Sequence, residues 1–313
     1  MSESTCIANG VWPVMLTPFT ATGQIDWSGV DQLVEWYLQA GVAGLFAVCL
    51  SSEMEKLTTA EQLALVRHVT QRVDGRIQVV ASNYGAGTFE QQITAIRRVW
   101  DLGVNCVVCL SGMLAGPNET PDDLKRNVEL ILAQTGDIPL GLYECPLPHH
   151  RLLESDELTW LLPSGRFRFL KDTSCNIQKI AAKAHVVARW PEFRYFNAHT
   201  QTLLASLQLG LHGFCGVAAN FCPALYVWLC REFAREPNIA AELQLFLDQQ
   251  FAVAEIKYPA SAKQYLQMIG VDIGPLCRRP MGEGFSAGEM ELLLNSKHEI
   301  QAWQERLGLL VCR

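Results

Sequence analysis

Phe167-Arg168-Phe169-Leu170-Lys171-Asp172-Thr173-Ser174 reads as a buried strand with a reactive tip. Mostly apolar residues run up to one lysine, and small polar residues follow. That is the pattern of a parallel strand whose C-terminal end opens onto a loop. An amine held at such a tip in a partly dry cavity is disfavoured in its charged form. The free amine attacks a ketone and forms an imine. The other reading of the stretch is a strand-end lysine paired with a carboxylate such as Asp172, and the eight residues alone leave both open.

The same unit recurs on either side. Short apolar runs occupy 11–16, 44–49, 77–82, 106–110, 139–145, 167–171, 194–198 and 213–217. Nearly all are followed by a polar loop and a segment with helical spacing. The spacing predicts a helix over 27–40, with Asp26 as N-cap and Gly41 as the stop. Thr58 with Glu61 forms a capping box for a helix over 60–73, and Thr88 with Gln91 forms another for a helix to about 102. Thr120-Pro121 opens the next helix with Pro at its favoured first position. A further helix is expected over 155–162. Successive runs start roughly 20 to 35 residues apart, the length of one βα unit. Alternating strands and helices imply a parallel sheet, and eight repeats imply closure into a (β/α)8 TIM barrel. No G-x-G-x-x-G follows any run, which counts against a dinucleotide-binding fold. From Pro223 the pattern changes to helices over 224–236, 239–258, 261–268 and 287–307, with a loop at 275–284. The expected organisation is therefore a barrel over 1–222 and a C-terminal helical extension over 223–313.

Composition narrows the classes. Hydrophobic residues make up 49% of the 313 and charged residues 18%, enough for a large core and too apolar for disorder. The net charge of −7 and the lack of a long basic cluster exclude a nucleic-acid partner. There is no apolar run of membrane-spanning length. The 11 cysteines include Cys49, Cys106, Cys109, Cys145 and Cys215 inside apolar runs, the usage of small buried hydrophobes in a reducing compartment. The start, Met-Ser-Glu-Ser-Thr-Cys, does not read as a signal peptide, so the expected location is cytoplasmic.

In a barrel, the loops after the strands build the site. That rule brings Thr17, Ser51, Ser52, Tyr143, Lys171, His199 and Asn220 to one mouth. Lys171 on the sixth strand neighbours Tyr143 on the fifth, and a phenol beside an amine can shuttle protons through imine and carbanion chemistry. Ser51, Ser52, Cys215 and His199 are the candidate substrate-binding residues; the serines can donate to a carboxylate. Each has a plainer reading: Ser-Ser-Glu as a helix-entry turn, the tyrosine as packing. Cys106-x-x-Cys109 lies within a strand, where residues three apart point to opposite faces, so it is not a metal site. His149-His150 reads as a solvated loop pair, and no H-E-x-x-H, P-loop or G-x-S-x-G occurs.

Further marks cover nearly the whole chain. They are Gly10-Val11-x-Pro13-x-x-x-Thr17-Pro18-Phe19, Gly23-x-Ile25-Asp26, Leu142-Tyr143-x-x-Pro146, Lys171-Asp172-Thr173-Ser174, Gly210-x-x-Gly213 and Gly216-Val217-x-Ala219-Asn220. With them the chain resembles the dihydrodipicolinate synthase and N-acetylneuraminate lyase superfamily of Schiff-base aldolases. The resemblance implies a barrel with a helical C-terminal domain, assembled as a homotetramer or homodimer. It also implies no metal or organic cofactor, with Lys171 as the imine-forming lysine and Tyr143 as the proton carrier.

The departures are equally informative. The family's Gly-Thr-Thr-Gly-Glu loop reads Cys49-Leu50-Ser51-Ser52-Glu53 here, so Leu50 replaces the relay threonine and Ser51 keeps a hydroxyl. The Pro-Tyr-Tyr after the fourth strand reads Ser111-Gly112-Met113, without the tyrosine a neighbouring subunit lends. The arginine that grips the second substrate becomes Pro148, with Arg151 nearby but displaced, and Gly-Asp-Asp on the seventh strand becomes Ala198-His199-Thr200. The losses fall on relay and second-substrate positions, while the imine-forming positions survive. The expectation is a lyase acting on pyruvate or a related 2-oxo acid, different from dihydrodipicolinate synthase itself. His199 and Glu144 are open as replacements for lost polar contacts. A 2-oxo-acid-binding regulatory barrel with little catalysis is the alternative, motivated by Leu50 and Met113.

Overall fold

The computed structural model describes residues 6–85 and 88–309. Chain order runs β1 (Gly10–Val11), α1 (Trp27–Gln39), β2 (Gly44–Phe46), α2 (Thr59–Val73), β3 (Gln78–Ser82), α3 (Phe89–Trp100) and β4 (Cys106–Leu110). It continues through α4 (Ser111–Leu114), α5 (Pro121–Gln134), β5 (Leu140–Tyr143), α6 (Ser155–Leu161), β6 (Phe167–Asp172), α7 (Ile177–Val187), β7 (Arg194–Asn197), α8 (Leu203–Gln208) and β8 (Gly213–Phe214). Then come α9 (Pro223–Glu232), α10 (Pro237–Ala254), α11 (Ala260–Met268) and α12 (Ala287–Arg306). The eight strands are parallel and ordered β1-β8-β7-β6-β5-β4-β3-β2. The ring closes where Val14 bridges Phe46 and the Ala43 N–H donates to the Val11 carbonyl. The fold is a (β/α)8 barrel followed by C-terminal helices.

The sequence's own signals start the helices. Asp26 caps α1 through the Gly29 N–H, the boxes at Thr58 and Thr88 form, and the helix opened by Pro121 gains a further box from Thr120 and Asp123. The runs at 11–16 and 213–217 are longer than the strands they produce. Pro13 has no N–H to give a ladder, and 217–220 tightens into a 3-10 turn.

Alternation on β6 sends Phe169 and Lys171 to the barrel interior and Leu170 and Asp172 outward. Below the lysine the interior is aromatic. Phe169 packs 4.8 Å from Phe196, 5.7 Å from Trp12 and 6.1 Å from Phe46, centre to centre. Gly44 makes this layer possible, because a Cβ there would lie 2.3 Å from the Trp12 ring.

The C-terminal helices are tied to the loop after β2. Lys263 of α11 and Glu53 are both fully buried and meet at 2.8 Å. Lys263 also donates to the Leu276 carbonyl, and the second Glu53 oxygen accepts the Arg279 N–H at 2.7 Å. Arg279 pairs with Glu55, and Arg278 pairs with Glu61. No helix among the described residues is long and apolar enough to cross a membrane.

Removing one member of a buried pair strands the other charge. Lys263→Met is therefore expected to cost about 3–5 kcal/mol in urea unfolding. Lys263→Met combined with Glu53→Gln should recover most of that loss, because no uncompensated charge remains.

Candidate active site

The site lies at the C-terminal ends of the strands. Tyr143 and Lys171 are direct register partners on β5 and β6. Lys171 is 3% exposed, and its amine sits 4.3 Å from the centre of the Tyr143 ring and 5.8 Å from that of Phe46. Among the described residues it forms no ion pair. The carboxylate next to it in sequence is taken: Asp172 binds Lys183, the Tyr195 hydroxyl at 2.6 Å, and the Ser174 N–H at 2.7 Å. The paired-lysine reading of the opening stretch does not describe this protein.

Thiols line the space around the amine. The Tyr143 hydroxyl bonds the Cys145 thiol. Burial, then the neighbouring Cys145, Cys49 and Cys215, push the Tyr143 phenol well above its ordinary value. Burial also raises Cys145, and it carries Cys215 up to about 12 against a smaller pull from Lys171. These two thiols are neutral near pH 7 and present small, weakly polar walls. Cys215, a candidate substrate-binding residue, thus stands near the lysine.

The two serines have different positions. Ser52 is spent on the backbone: its hydroxyl donates to the Met15 and Ala47 carbonyls at 2.8 and 3.0 Å and accepts from the Cys49 N–H. It shapes the loop, with Thr17 holding the Ser52 carbonyl at 2.8 Å. Ser51 bonds the phenol of Tyr258. Tyr258 also receives the Asn220 amide at 2.7 Å, and Asn220 accepts from the Tyr37 hydroxyl. Tyr258 follows α10, so the C-terminal helices deliver a hydroxyl into the mouth that no local pattern announced. Its phenol is raised by burial to a value outside the physiological range.

Other expected residues face elsewhere. His199 contacts Thr202 through its ring nitrogen and meets Phe251 of α10 edge-on at 5.7 Å. Arg151 pairs with Glu157 at 2.9 Å. Met113 and Leu50 are half-buried and pack on the core. His150 bonds the Thr173 hydroxyl. Glu144, read as a mouth residue, points to the outer face of the barrel. It accepts from the Leu153 and Thr173 N–H groups, each at 2.9 Å, and meets Lys183 at 2.6 Å.

The cluster behind the strands is fully buried. Burial, then the charge of Asp172, raises the Glu144 carboxyl to about 7. Burial penalises Asp172 too, yet Lys183 and the hydrogen bonds from Ser174 and Tyr195 hold it below its usual value. Lys183 came without a sequence prediction. Its only signal is its place in the stripe Ile180, Lys183, Val187, which is otherwise apolar and is buried along α7.

Among the described residues no group of three His, Cys, Asp or Glu is arranged to hold a metal ion. A groove of about 310 Å³ lies outside the barrel between α2 and α3, lined by Gln62, Asn83, Tyr84, Gln92 and Arg98 among others, and Lys171 does not line it.

Known proteins share this architecture. A 4-hydroxy-tetrahydrodipicolinate synthase of Methanococcus maripaludis is 25% identical over 284 residues, 88% of this chain and 94% of its own. The enzyme of the same name from Laribacter hongkongensis is 28% identical over 218 residues, 69% of this chain and 72% of its own. The solved structure of YagE from E. coli K12, a protein of the dihydrodipicolinic acid synthase family in complex with pyruvate, superimposes with a TM-score of 0.79 at 22% identity. That match covers 96% of this chain and 99% of YagE. The sequence model of the dihydrodipicolinate synthetase family matches residues 8–293, and the chain belongs to that family.

Proposed function

We propose that this protein is a Schiff-base-forming lyase acting on pyruvate or a related 2-oxo acid, through carbon–carbon or carbon–oxygen chemistry, and that it is not a dihydrodipicolinate synthase. The observation that carries the reading is the buried Lys171 amine, free of any ion pair among the described residues and lying over the Tyr143 ring. Relatives named as synthases and a pyruvate-bound member of the family support the substrate class.

The Lys171 nitrogen adds to C2 of the 2-oxo acid. Loss of water from that adduct leaves a protonated imine. When the C3–C4 bond of a 4-hydroxy substrate breaks, its electron pair moves into the imine and gives an enamine, while the 4-hydroxyl proton leaves and an aldehyde departs. Protonation at C3 and hydrolysis then return the amine and release pyruvate. Tyr143 carries the protons in these steps, since its hydroxyl belongs to the side chain the amine touches. Ser51 and neighbouring N–H groups hold the substrate carboxylate, because Ser52 is committed to the Met15 and Ala47 carbonyls.

A synthase needs a grip on its second substrate. Leu50 and Met113 stand in the sequence where the family has its relay residues and pack on the core, Pro148 cannot grip a carboxylate, and Arg151 is engaged by Glu157. The same apolar residues favour the second reading, a barrel that binds a 2-oxo acid without turning it over.

Borohydride reduction in the presence of pyruvate is expected to leave a stable adduct on the peptide containing Lys171, with none on Lys171→Ala, read by mass spectrometry. An intact protein that yields no adduct with pyruvate or with larger 2-oxo acids would sink the lyase reading and favour the binding protein. Once a cleavable 4-hydroxy-2-oxo acid is found, Tyr143→Phe should lower kcat by about 10²-fold or more while Lys171 still traps slowly. Unchanged turnover would remove the tyrosine from the proton path.

A further inference from the structure

Directly behind the two reacting side chains lies a second constellation. Tyr143 and Lys171 point inward from adjacent strands in register, so the residues that follow them, Glu144 and Asp172, both point outward. Lys183, 1% exposed, reaches from α7 and binds both carboxylates. The remaining oxygens are also occupied. Glu144 takes the Leu153 and Thr173 N–H groups, and Asp172 takes the Tyr195 hydroxyl and the Ser174 N–H and hydroxyl. The Thr173 hydroxyl donates to the Glu144 carbonyl, and the Glu144 N–H donates to the Lys171 carbonyl at 3.2 Å. Lys183, the Thr173 bonds to Glu144 and the Glu144–Lys171 backbone bond join the tip of β5 to the tip of β6.

Stability alone does not account for such a cluster. Taking an ammonium and two carboxylates out of water costs several kcal/mol per ion, and well-packed apolar residues are often as stable or more so. The neighbours Ile180 and Val187 show that this face of α7 accepts apolar side chains. What the ions supply and a leucine would not is directional attachment of both strand tips to one atom.

We propose that Lys183, Glu144 and Asp172 form one positioning unit that fixes the spacing of Lys171 and Tyr143 for imine chemistry. The unit does not touch the substrate. The proposal rests on the lyase reading above.

The unit also leaves a titration signature. Burial and Asp172 hold the Glu144 carboxyl at about 7, above the ordinary 4.5 of the unfolded chain. The stability it contributes is full below about 4.5 and is lost as pH rises through about 7. The groups facing Glu144 are Asp172 on β6, Cys175 in the loop after it, Lys183 on α7, Tyr195 on β7, and, through Thr173, His150 in the loop after β5. The urea midpoint of the wild-type protein should fall between pH 5 and pH 8, and Glu144→Gln should remove that slope while His150→Gln keeps it.

The deciding measurement is the rate of borohydride-trapped adduct formation with pyruvate, per folded molecule. Lys183→Met orphans two carboxylates, so it is assayed beside the wild type at pH 5.5, where protonation relieves them. A neutral version, Lys183→Met with Glu144→Gln and Asp172→Asn, covers the case in which the single variant does not fold. Either form should label Lys171 at least tenfold more slowly at saturating pyruvate, with the half-saturating concentration changed less than threefold. Equal rates per folded molecule overturn the proposal and leave a structural ion cluster. A wild-type protein that gives no adduct overturns the lyase reading along with it, and that failure is recognised before any substitution is made.

Discussion

The geometry of this protein depends on one constraint, the in-register pairing of Tyr143 with Lys171 on adjacent parallel strands. Strand alternation then leaves little freedom. Inside the barrel, the two side chains meet over an aromatic floor. Outside it, their successors are two carboxylates that must be neutralised in a place water does not reach. Lys183 binds both and is itself fully buried, and the raised Glu144 carboxyl can keep a proton against the charge left over. The Lys171 amine has no ion pair among the described residues because Asp172 is occupied elsewhere: a carboxylate turned inward would have locked it in one.

A second dependence runs through the C-terminal helices. Glu53 sits in the left-handed region at φ 57°, a conformation that disfavours residues other than glycine. Its side chain is held by Lys263 and the Arg279 N–H. Arg279 also reaches the Leu50 carbonyl, and Tyr258 bonds Ser51 and Asn220. The loop that presents Ser51 is thus shaped from below by Ser52 and Thr17 and from above by α11 and the strap after it. The helices after the barrel complete the mouth rather than decorate it.

Much of this was legible in the sequence, for local reasons. Apolar runs, capping boxes and one lysine at a strand tip are short-range patterns, and they yield the barrel and the Tyr143–Lys171 pair. What escaped is carried by distant partners. Lys263 meets Glu53 across 210 residues, and Tyr258 reaches Asn220 across 38. Nothing local distinguishes a buried lysine such as Lys183 from a surface one except its place in an apolar stripe. Glu144 was misplaced because its neighbour Tyr143 is interior, and adjacent strand residues face opposite ways. His199 follows β7 into a turn, where Thr202 and Phe251 draw it toward α10.

The chemistry of the mouth follows from what replaced its polar groups. Cys145 and Cys215 are neutral near pH 7, because burial holds their thiols above the usual range, and Leu50 and Met113 add no charge. In the proposed reaction a 2-oxo acid carries one carboxylate and becomes a cationic imine, so the charge balance of the pocket shifts as it proceeds. A pocket with polar relay groups can bind a second anion and guide protons from solvent. A pocket with neutral thiols beside the amine supplies no charge for either task. Under the proposed lyase reading it favours a substrate that brings its own leaving group attached to the 2-oxo acid, with proton traffic left to Tyr143, whose ring the amine faces. The proposed lyase reading follows from the same substitutions: they take away groups for a second substrate and leave Lys171 and Tyr143 in register.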